Sequence, residues 1–313
     1  MNVLTRHDRI RGGIYGLLIG DALGVPYEFN PPEAIPPMEQ IEMKPPEGFR
    51  RTYPQVAPGT WSDDGAQALC LLASLLHAGR LEPGDLGNRF VNWLDHGYMA
   101  VGGQVFDCGV TTSRALAAIR QGVPAVQAGP NGLYDNGNGS LMRVLPLALW
   151  HSGTDKELVL DAHLQSRVTH GHTRSQVCCA LYCLWARREL NATAESWTDA
   201  VATLRQIYID MPVHLEELES GVRPEADGAA TGSGYVVDAL RSAKYCLDSS
   251  ADYEGVVKRA VALGKDTDTT AAIAGGMAGV RYGFGGIPPR WVLALLGKEL
   301  MEPLVEKLSH GPG

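Results

Sequence analysis

Apolar residues recur at steps of three and four along much of the chain, the spacing that gives a helix one buried face. Strict alternation of apolar and polar residues, typical of strands, is almost absent. We therefore predict an all-α fold, a compact multi-helix bundle of roughly ten or more helices. The clearest periodic runs are Ala66–Leu76, Leu86–Leu94, Val177–Trp185, Val236–Leu240 and Val256–Leu263.

Two segments lack this periodicity. Residues 26–59 contain nine of the nineteen prolines, which exclude a regular helix, so we predict a Pro-rich flap loop at about 26–60 on the surface. Residues 210–234 mix acidic residues with glycine and proline, and we predict a second irregular segment there. Because neither segment separates halves of different composition, we predict one domain over residues 1–313.

Composition and charge exclude several classes of protein. Hydrophobic residues make up 45% and charged residues 20% of the chain, as in folded globular proteins. With 27 basic and 35 acidic residues the net charge is −8, so we expect no nucleic acid as main partner. The apolar stretch Ile14–Ile19 is too short to span a membrane. The six cysteines form no CxxC pair, which favours reduced thiols and a cytoplasmic location.

Two acidic clusters precede predicted helices. The first is Ser62-Asp63-Asp64, and the second is Asp266-Thr267-Asp268-Thr269, which leads into the small-residue helix Ala271–Tyr282. Small side chains let another backbone come close, so we place this helix at the centre of the bundle. Such acids and hydroxyls can simply cap helices. A cap needs one side chain, however, and four converging carboxylates would require a cation, preferably Mg²⁺ or Mn²⁺.

A glycine-rich segment, Asn136–Arg143, leads into a short apolar run. Backbone amides at such a helix start can hold phosphate, although an ordinary turn with a cap has the same pattern. Neither a P-loop nor GxGxxG occurs, which disfavours a dinucleotide fold. His170 lies in a Thr-His-Gly-His sequence without metal-binding spacing, so it either contacts a polar ligand or is bonded within the structure.

These pieces occur in an order that resembles the ADP-ribosylglycohydrolase family, with greatest similarity to its dinitrogen-reductase-activating and ADP-ribosylarginine hydrolase types. The segments that carry the resemblance are residues 9–29 with the sequence GDALG, SDD at 62–64, GNGSLMR at 137–143, TH at 169–170, GYVVDAL at 234–240 and GKDTDTT at 264–270.

The resemblance implies two Mg²⁺ (or Mn²⁺) ions in a central cleft of an all-α fold. The implied metal ligands are Ser62, Asp63, Asp64, Asp266, Asp268 and Thr269. The implied catalytic residues are Glu28 and Asp63, the latter both as ligand and as proton acceptor. The implied ligand-binding residues are Asp107, Asn138, Gly139, Ser140, Met142, His170 and Tyr235, with Tyr235 near the adenine.

The sequence departs from the family pattern at one position. Where the family has Thr-Asp-Asp-Thr, this chain has Ser62-Asp63-Asp64-Gly65. Ser62 keeps a hydroxyl, whereas Gly65 removes one, and we expect the start of that helix to be less constrained as a result.

The implied activity is hydrolysis of the bond between ADP-ribose and a modified protein side chain. We expect that bond to join ADP-ribose to an arginine nitrogen, so the partners would be an ADP-ribosylated protein and ADP-ribose. Alternatives are cleavage of serine-linked ADP-ribose or O-acetyl-ADP-ribose, and a non-catalytic ADP-ribose-binding or crystallin-like protein on the same fold. Without the resemblance, the acidic clusters also fit a two-metal phosphohydrolase.

Overall fold

The computed structural model describes residues 4–226 and 228–310, and the single domain predicted over residues 1–313 extends beyond them and stays a prediction. The structure is 65% helical, and the described residues form no strand, as the all-α prediction requires. The α-helices are α1 (Arg6–Gly24), α2 (Asp63–Ala78), α3 (Pro83–His96), α4 (Val110–Arg120), α5 (Ala125–Ala128), α6 (Leu145–Trp150), α7 (Asp155–Arg167), α8 (Thr173–Leu190), α9 (Ser196–Tyr208), α10 (Pro212–Glu216), α11 (Val236–Asp248), α12 (Tyr253–Ala262), α13 (Thr267–Tyr282), α14 (Pro289–Ala294) and α15 (Lys298–His310).

Helices α1 and α13 form the centre of the bundle, as predicted for the small-residue helix. Every residue of α13 from Thr267 to Val280 is buried. Four glycines of α1 at four-residue spacing face α13, and a Cβ on any of them would lie 2.0 to 2.4 Å from an α13 atom. They are Gly12, Gly16, Gly20 and Gly24. The two backbones therefore touch, which brings the residues after α1 to the start of α13.

The other helices surround this pair. Helices α8, α11 and α12 pack against α13, while α2 packs against α3, α6 and α15. The periodic runs predicted from the sequence fall in α2, α3, α8, α11 and α12, with their apolar residues in the core. None of the helices in the described residues is both long and apolar enough to cross a bilayer.

The Pro-rich segment contains short 3₁₀ turns at Val25–Tyr27, Pro32–Ala34 and Met38–Gln40 and no α-helix, and its role as a flap stays a prediction. Tyr27, Ile41, Met43 and Val56 are nevertheless buried in the core, so the segment is anchored in the fold as well as covering its surface.

The prediction of an irregular segment at residues 210–234 was wrong for its first half. Helix α10 and a π-helical turn at Glu217–Val222 occupy it. Leu218 and Val222 are buried and supply the local apolar contacts that outweigh the surrounding acids and glycine.

Candidate metal centre and cleft

The starts of α2 and α13 both line one cavity of about 600 Å³. Its lining comes from the ends of several elements rather than from the interior of one helix. Of the residues selected from the sequence, it is lined by Glu28, Asp63, Asp107, Asn138, Gly139, Met142, His170, Asp266 and Thr269. Ser62, Asp64 and Asp268 are buried and bonded within the same cluster. The packing of the starts of α2 and α13 thus brings the two acidic clusters together.

Capping accounts for only part of the acidic clusters. Ser62 is the N-cap of α2, and its side chain accepts a hydrogen bond from the amide of Asp64. Asp266 occupies the N-cap position of α13 but makes no capping bond there. Its carboxylate accepts instead from the Asn138 side chain at 2.8 Å. The second cluster is therefore directed into the cleft.

Three buried carboxylate oxygens of the cluster have no hydrogen-bond partner: Oε2 of Glu28, Oδ1 of Asp64 and Oδ2 of Asp268. Ligand atoms of Glu28, Asp266 and Asp268 lie within 4.8 Å of one another. An unpartnered buried carboxylate is costly unless it is protonated or coordinates a cation, and all-oxygen donor sets suit hard divalent ions. These residues therefore fit Mg²⁺ or Mn²⁺, and Glu28, selected from the sequence as catalytic, lies among the candidate ligands.

Burial and mutual repulsion govern the protonation of this cluster. Burial, followed by the charges of Asp107 and Asp266, raises the pKa of Glu28 to about 11. Burial, followed by repulsion from Asp64, raises the pKa of Asp63 well above its usual range. Burial, followed by repulsion from Glu28, likewise raises the pKa of Asp268 well above its usual range. Without a cation the site therefore retains protons, and a bound cation would have to displace them.

The expectation about Gly65 is corrected by a residue that sequence reasoning missed. Asp21 of α1 is fully buried, and its carboxylate accepts from the amides of Ser62 and Gly65, the latter at 2.7 Å. A Cβ at Gly65 would lie 2.7 Å from atoms of Leu18 and Trp61. The start of α2 is thus firmly held, and glycine is the residue that fits there. Asp21 stood in the quoted GDALG sequence, which was the available signal.

A second missed group lies behind Asp63. Nε2 of Gln67 donates to Oδ2 of Asp63 at 3.2 Å, and Oε1 of Gln67 accepts from Arg143 at 2.8 Å. Arg143 is fully buried, donates also to Gln165 and to the carbonyl of Gly139, and lies over the ring of Phe90. Burial lowers its pKa to about 10, so the guanidinium remains charged at neutral pH. These hydrogen bonds connect Asp63, the candidate proton acceptor, to the glycine-rich segment through Gln67 and Arg143.

The glycine-rich segment offers fewer free amides than expected. The amide of Asn138 donates to the Gly234 carbonyl, and those of Leu141 and Met142 donate to the Asn138 carbonyl. Ser140 points into the core, where its hydroxyl accepts from Ser166, so its side chain does not line the cleft. Asn138, Gly139 and Met142 remain on the cavity wall.

His170 lines the cleft, whereas Tyr235 lines a neighbouring cavity. Nδ1 of His170 pairs with the hydroxyl of Thr169 at 2.8 Å, and burial lowers the pKa of His170 to about 3, so the ring is neutral. A Cβ at Gly139 would lie 2.8 Å from this ring, which makes glycine necessary there. Tyr235 lines a neighbouring cavity with Tyr134 and receives a hydrogen bond from Arg174.

A buried carboxylate orders the loop beneath the cleft. Asp238 accepts from the amides and hydroxyls of Thr231 and Ser233. The loop in turn offers the Gly234 carbonyl to Asn138 and the Gly232 carbonyl to the amide of Asp266. Asp238 belongs to the GYVVDAL motif, and its role is to support the site rather than to line it.

Comparison with known proteins gives a consistent result. The family model described as ADP-ribosylglycohydrolase matches residues 2–312. An ADP-ribosylarginine hydrolase Tri1 of Pseudomonas putida is 32% identical over 96% of this chain and 78% of its own length. The ADP-ribosyl-[dinitrogen reductase] glycohydrolase of Rhodospirillum rubrum is 29% identical over 92% of this chain and 90% of its own.

A solved structure extends this result to the fold. A chain described as an ADP-ribosylglycohydrolase-related protein complex superposes with a TM-score of 0.79 at 32% identity. The match covers 98% of this chain and 99% of the other.

Proposed function

This chain is a glycohydrolase that belongs to the ADP-ribosylglycohydrolase family, and we propose that it removes ADP-ribose from arginine side chains of modified proteins in a metal-dependent reaction. The observation that carries the proposal is the set of unpartnered buried oxygens of Glu28, Asp64 and Asp268 in the acidic cluster beside the cleft. The relatives named for arginine and dinitrogen reductase support the linkage and the protein substrate.

The residues that would hold two divalent cations are Ser62, Asp63, Asp64, Asp266, Asp268 and Thr269, together with Glu28. When bound, such ions supply Lewis-acid chemistry and lower the pKa of water. Because the choice between Mg²⁺ and Mn²⁺ depends on affinity and availability, the proposal includes both.

The chain's own residues contribute to the cleavage as follows. Breaking a glycosidic bond builds positive charge at the anomeric carbon, which nearby carboxylates such as Glu28 stabilise in the ionised form that a bound cation would favour. Asp63 lines the cavity and, ionised in the same way, accepts the proton of the attacking water, while the departing arginine nitrogen takes up a proton in turn. Gln67 holds Oδ2 of Asp63, which fixes the direction of that carboxylate. Asn138, Gly139 and His170 form the wall along which the ADP-ribose lies.

The setting of the reaction is part of the proposal. All six cysteines are free, and five of them are buried, which supports a reducing compartment, so we place the enzyme in the cytoplasm. An ADP-ribosylated protein is the proposed partner, with ADP-ribose as the product.

The test is a substrate panel. Protein stripped with EDTA and reconstituted with Mg²⁺ or Mn²⁺ is given ADP-ribosylarginine, an ADP-ribosylserine peptide and O-acetyl-ADP-ribose. We expect intact ADP-ribose from the arginine substrate, only in the presence of metal. Release of AMP or phosphate would instead indicate a phosphohydrolase. Binding of ADP-ribose without release from any substrate would indicate a non-catalytic protein, and preferential release from serine would overturn the linkage.

A further inference from the structure

Three aromatic side chains, called here the aromatic cluster, lie beside the acidic end of the cleft: Phe29, Tyr53 and Phe106. The ring centroids of Phe29 and Tyr53 are 6.5 Å apart, and those of Tyr53 and Phe106 are 5.1 Å apart. Phe29 lines the cavity and is 62% exposed. An exposed phenylalanine at the opening of a catalytic cleft suggests a contact with a ligand or partner.

The backbone holds Phe29 in this exposed position. Its φ of +58° is uncommon for a residue other than glycine and costs conformational energy. The amide of Phe29 donates to the Lys265 carbonyl at 2.6 Å, and the amide of Lys265 donates to the Asn30 carbonyl at 2.7 Å. A Cβ at Gly264 would lie 2.7 Å from the nitrogen of Pro32, so glycine is needed for this pairing. The presentation of the ring is thus built into the fold.

The aromatic cluster is hydrogen-bonded to the carboxylate of Asp107. The hydroxyl of Tyr53 donates to Oδ1 of Asp107 at 2.9 Å, and Asp107 lines the cavity beside Glu28. Lys265 is the basic residue on the same wall. Aromatic faces next to carboxylates match a guanidinium, which stacks on rings and pairs with carboxylates through its planar donors.

The position of the cluster separates it from the glycine-rich wall. The segment from Asp107 to Thr112 runs along the cavity between the two. At one end Asp107 bonds to Tyr53, and at the other a Cβ on Gly139 would lie 3.4 Å from the Thr112 hydroxyl. If the ADP-ribose lies along the glycine-rich wall, the side chain from which it is removed extends toward the aromatic cluster.

We propose that Phe29, supported by Tyr53 and Phe106, forms with Asp107 the subsite that receives the guanidinium of the modified arginine and so favours arginine over other linkages. This inference rests on the proposed function, because it takes the arginine-linked substrate from there. It adds a residue that determines which linkage is cleaved and that lies outside the candidate metal ligands.

The experiment compares Phe29→Leu, which removes the π face and keeps apolar bulk, with Phe29→Trp, which keeps a π face. We expect Phe29→Leu to lower kcat/KM for ADP-ribosylarginine by about tenfold, mainly through KM, and Phe29→Trp to stay within about twofold of the native enzyme. The inhibition constant of free ADP-ribose should be unchanged in both variants, because the ring contacts the leaving group. Leu293→Ala, which truncates a 79% exposed side chain of α14 outside the cleft, is the control.

Each contrary outcome has a definite meaning. The subsite is overturned if Phe29→Leu behaves like the Leu293→Ala control, if Phe29→Trp is as impaired as Phe29→Leu, or if ADP-ribose inhibition weakens in parallel with kcat/KM. Failure of the native enzyme to cleave ADP-ribosylarginine would overturn the proposed linkage, and the subsite with it. Native activity separates the two failures, and thermal unfolding of each variant verifies that it is folded.

Discussion

The hydroxyl of Thr269 donates a hydrogen bond of 3.2 Å to Oδ2 of Asp64, joining two helix starts that are 205 residues apart in the sequence. The same Asp64 oxygen accepts from the hydroxyl of Ser62, so one carboxylate receives a donor from each acidic cluster. The other oxygen of Asp64 is buried without a partner. The two clusters are therefore parts of one site, and a change in either should affect the metal affinity of the whole.

Replacing Asp268 by Asn should have opposite effects on the stability of the metal-free protein and of the metal-loaded protein. Oδ2 of Asp268 is buried without a partner, and burial followed by the charge of Glu28 raises the pKa of Asp268 well above its usual range. Without metal, Asp268 must therefore take up a proton on folding at neutral pH, which lowers the free energy of unfolding, and Asp268→Asn should raise the melting temperature in EDTA by removing that cost. The variant should also lose most of the stabilisation that Mg²⁺ gives the native protein. In the native protein, Mg²⁺ at a hundredfold excess over its Kd should raise the free energy of unfolding by about 2.7 kcal/mol.

Three variants should lose turnover: Asp268→Asn, Asp63→Ala and Asp268→Ala. In buffer that contains Mg²⁺, each should also melt at a lower temperature than the native protein. Thermal unfolding and ADP-ribose release, each in EDTA and in Mg²⁺, provide the measurement. Asp95→Asn removes a carboxylate from a surface ion pair with Arg120 and should leave both unchanged. Native melting and turnover in the three cluster variants would remove the metal-site interpretation.

Replacing Gln67 should reduce turnover although Gln67 is not a candidate metal ligand. Gln67→Met removes both the donor to Asp63 and the acceptor for Arg143, whereas Gln67→Glu keeps only the acceptor. Residues that orient metal ligands typically contribute 10- to 100-fold, so we expect kcat to fall by about that factor in both variants. Steady-state kinetics with Mg²⁺ titration measure it. Normal kcat in Gln67→Glu would show that the bond to Asp63 does not matter.

Adding one methyl group between α1 and α13 should destabilise the protein. A Cβ at Gly20 would lie 2.0 Å from the Ala271 carbonyl oxygen, so Gly20→Ala must separate the helices. Overpacking of this kind costs about 2 to 4 kcal/mol in the free energy of unfolding. Gly84→Ala in α3 meets no atom within 4 Å and should be neutral or stabilise by up to about 1 kcal/mol. Urea denaturation of both measures the difference, and equal stabilities would contradict the close approach.

A buried histidine away from the cleft should contribute a loss of stability in acid. Burial, then the charges of His214 and Arg167, lowers the pKa of His163 to about 3, and its Nε2 pairs with the hydroxyl of Tyr208 at 2.7 Å. In the unfolded chain the pKa of this histidine is about 6.5. Between those values this side chain binds more protons in the unfolded state, so its contribution to the free energy of unfolding falls as the pH is lowered from about 6.5 toward 3.

His163→Gln should therefore remove this contribution from the pH dependence. Urea denaturation at steps across this window compares its slope with that of the native protein. His170, whose pKa burial also lowers to about 3, contributes in the same direction, and the buried carboxylates of the cleft, such as Glu28, contribute in the opposite direction, so the difference between the two slopes isolates His163. An unchanged slope in His163→Gln would show that His163 does not contribute.

The pattern of apolar residues was sufficient for the helical class and for the positions of the main helices. A face that repeats every three to four residues specifies a helix locally, whatever its neighbours. It also identified the acidic clusters as helix starts and the small-residue helix as central. It failed at residues 212–222, where helical turns are stabilised by the burial of Leu218 and Val222 in a segment rich in charge.

The composition of the site was only partly accessible from sequence. Asp63, Asp64, Asp266 and Asp268 stand in conspicuous clusters, and the family resemblance directed attention to Glu28. Gln67 gave no such signal, because one glutamine in a helical stretch has many possible environments. Asp21 and Arg143 stood in the quoted GDALG and GNGSLMR segments, which did not indicate their partners. Their roles arise from partners that are distant in the sequence, such as Gln67 with Arg143.

By itself, the sequence determined an all-α protein with two acidic helix starts and the motifs of its family. Tertiary structure alone decided that Glu28 lies within reach of Asp266 and Asp268, that Ser140 turns into the core, and that Phe29 is held exposed at the cleft. The physical reason is the same in each case. Periodicity encodes which face of a helix is buried, whereas the meeting of distant side chains depends on how closely two backbones can pack, here α1 against α13 through their glycines.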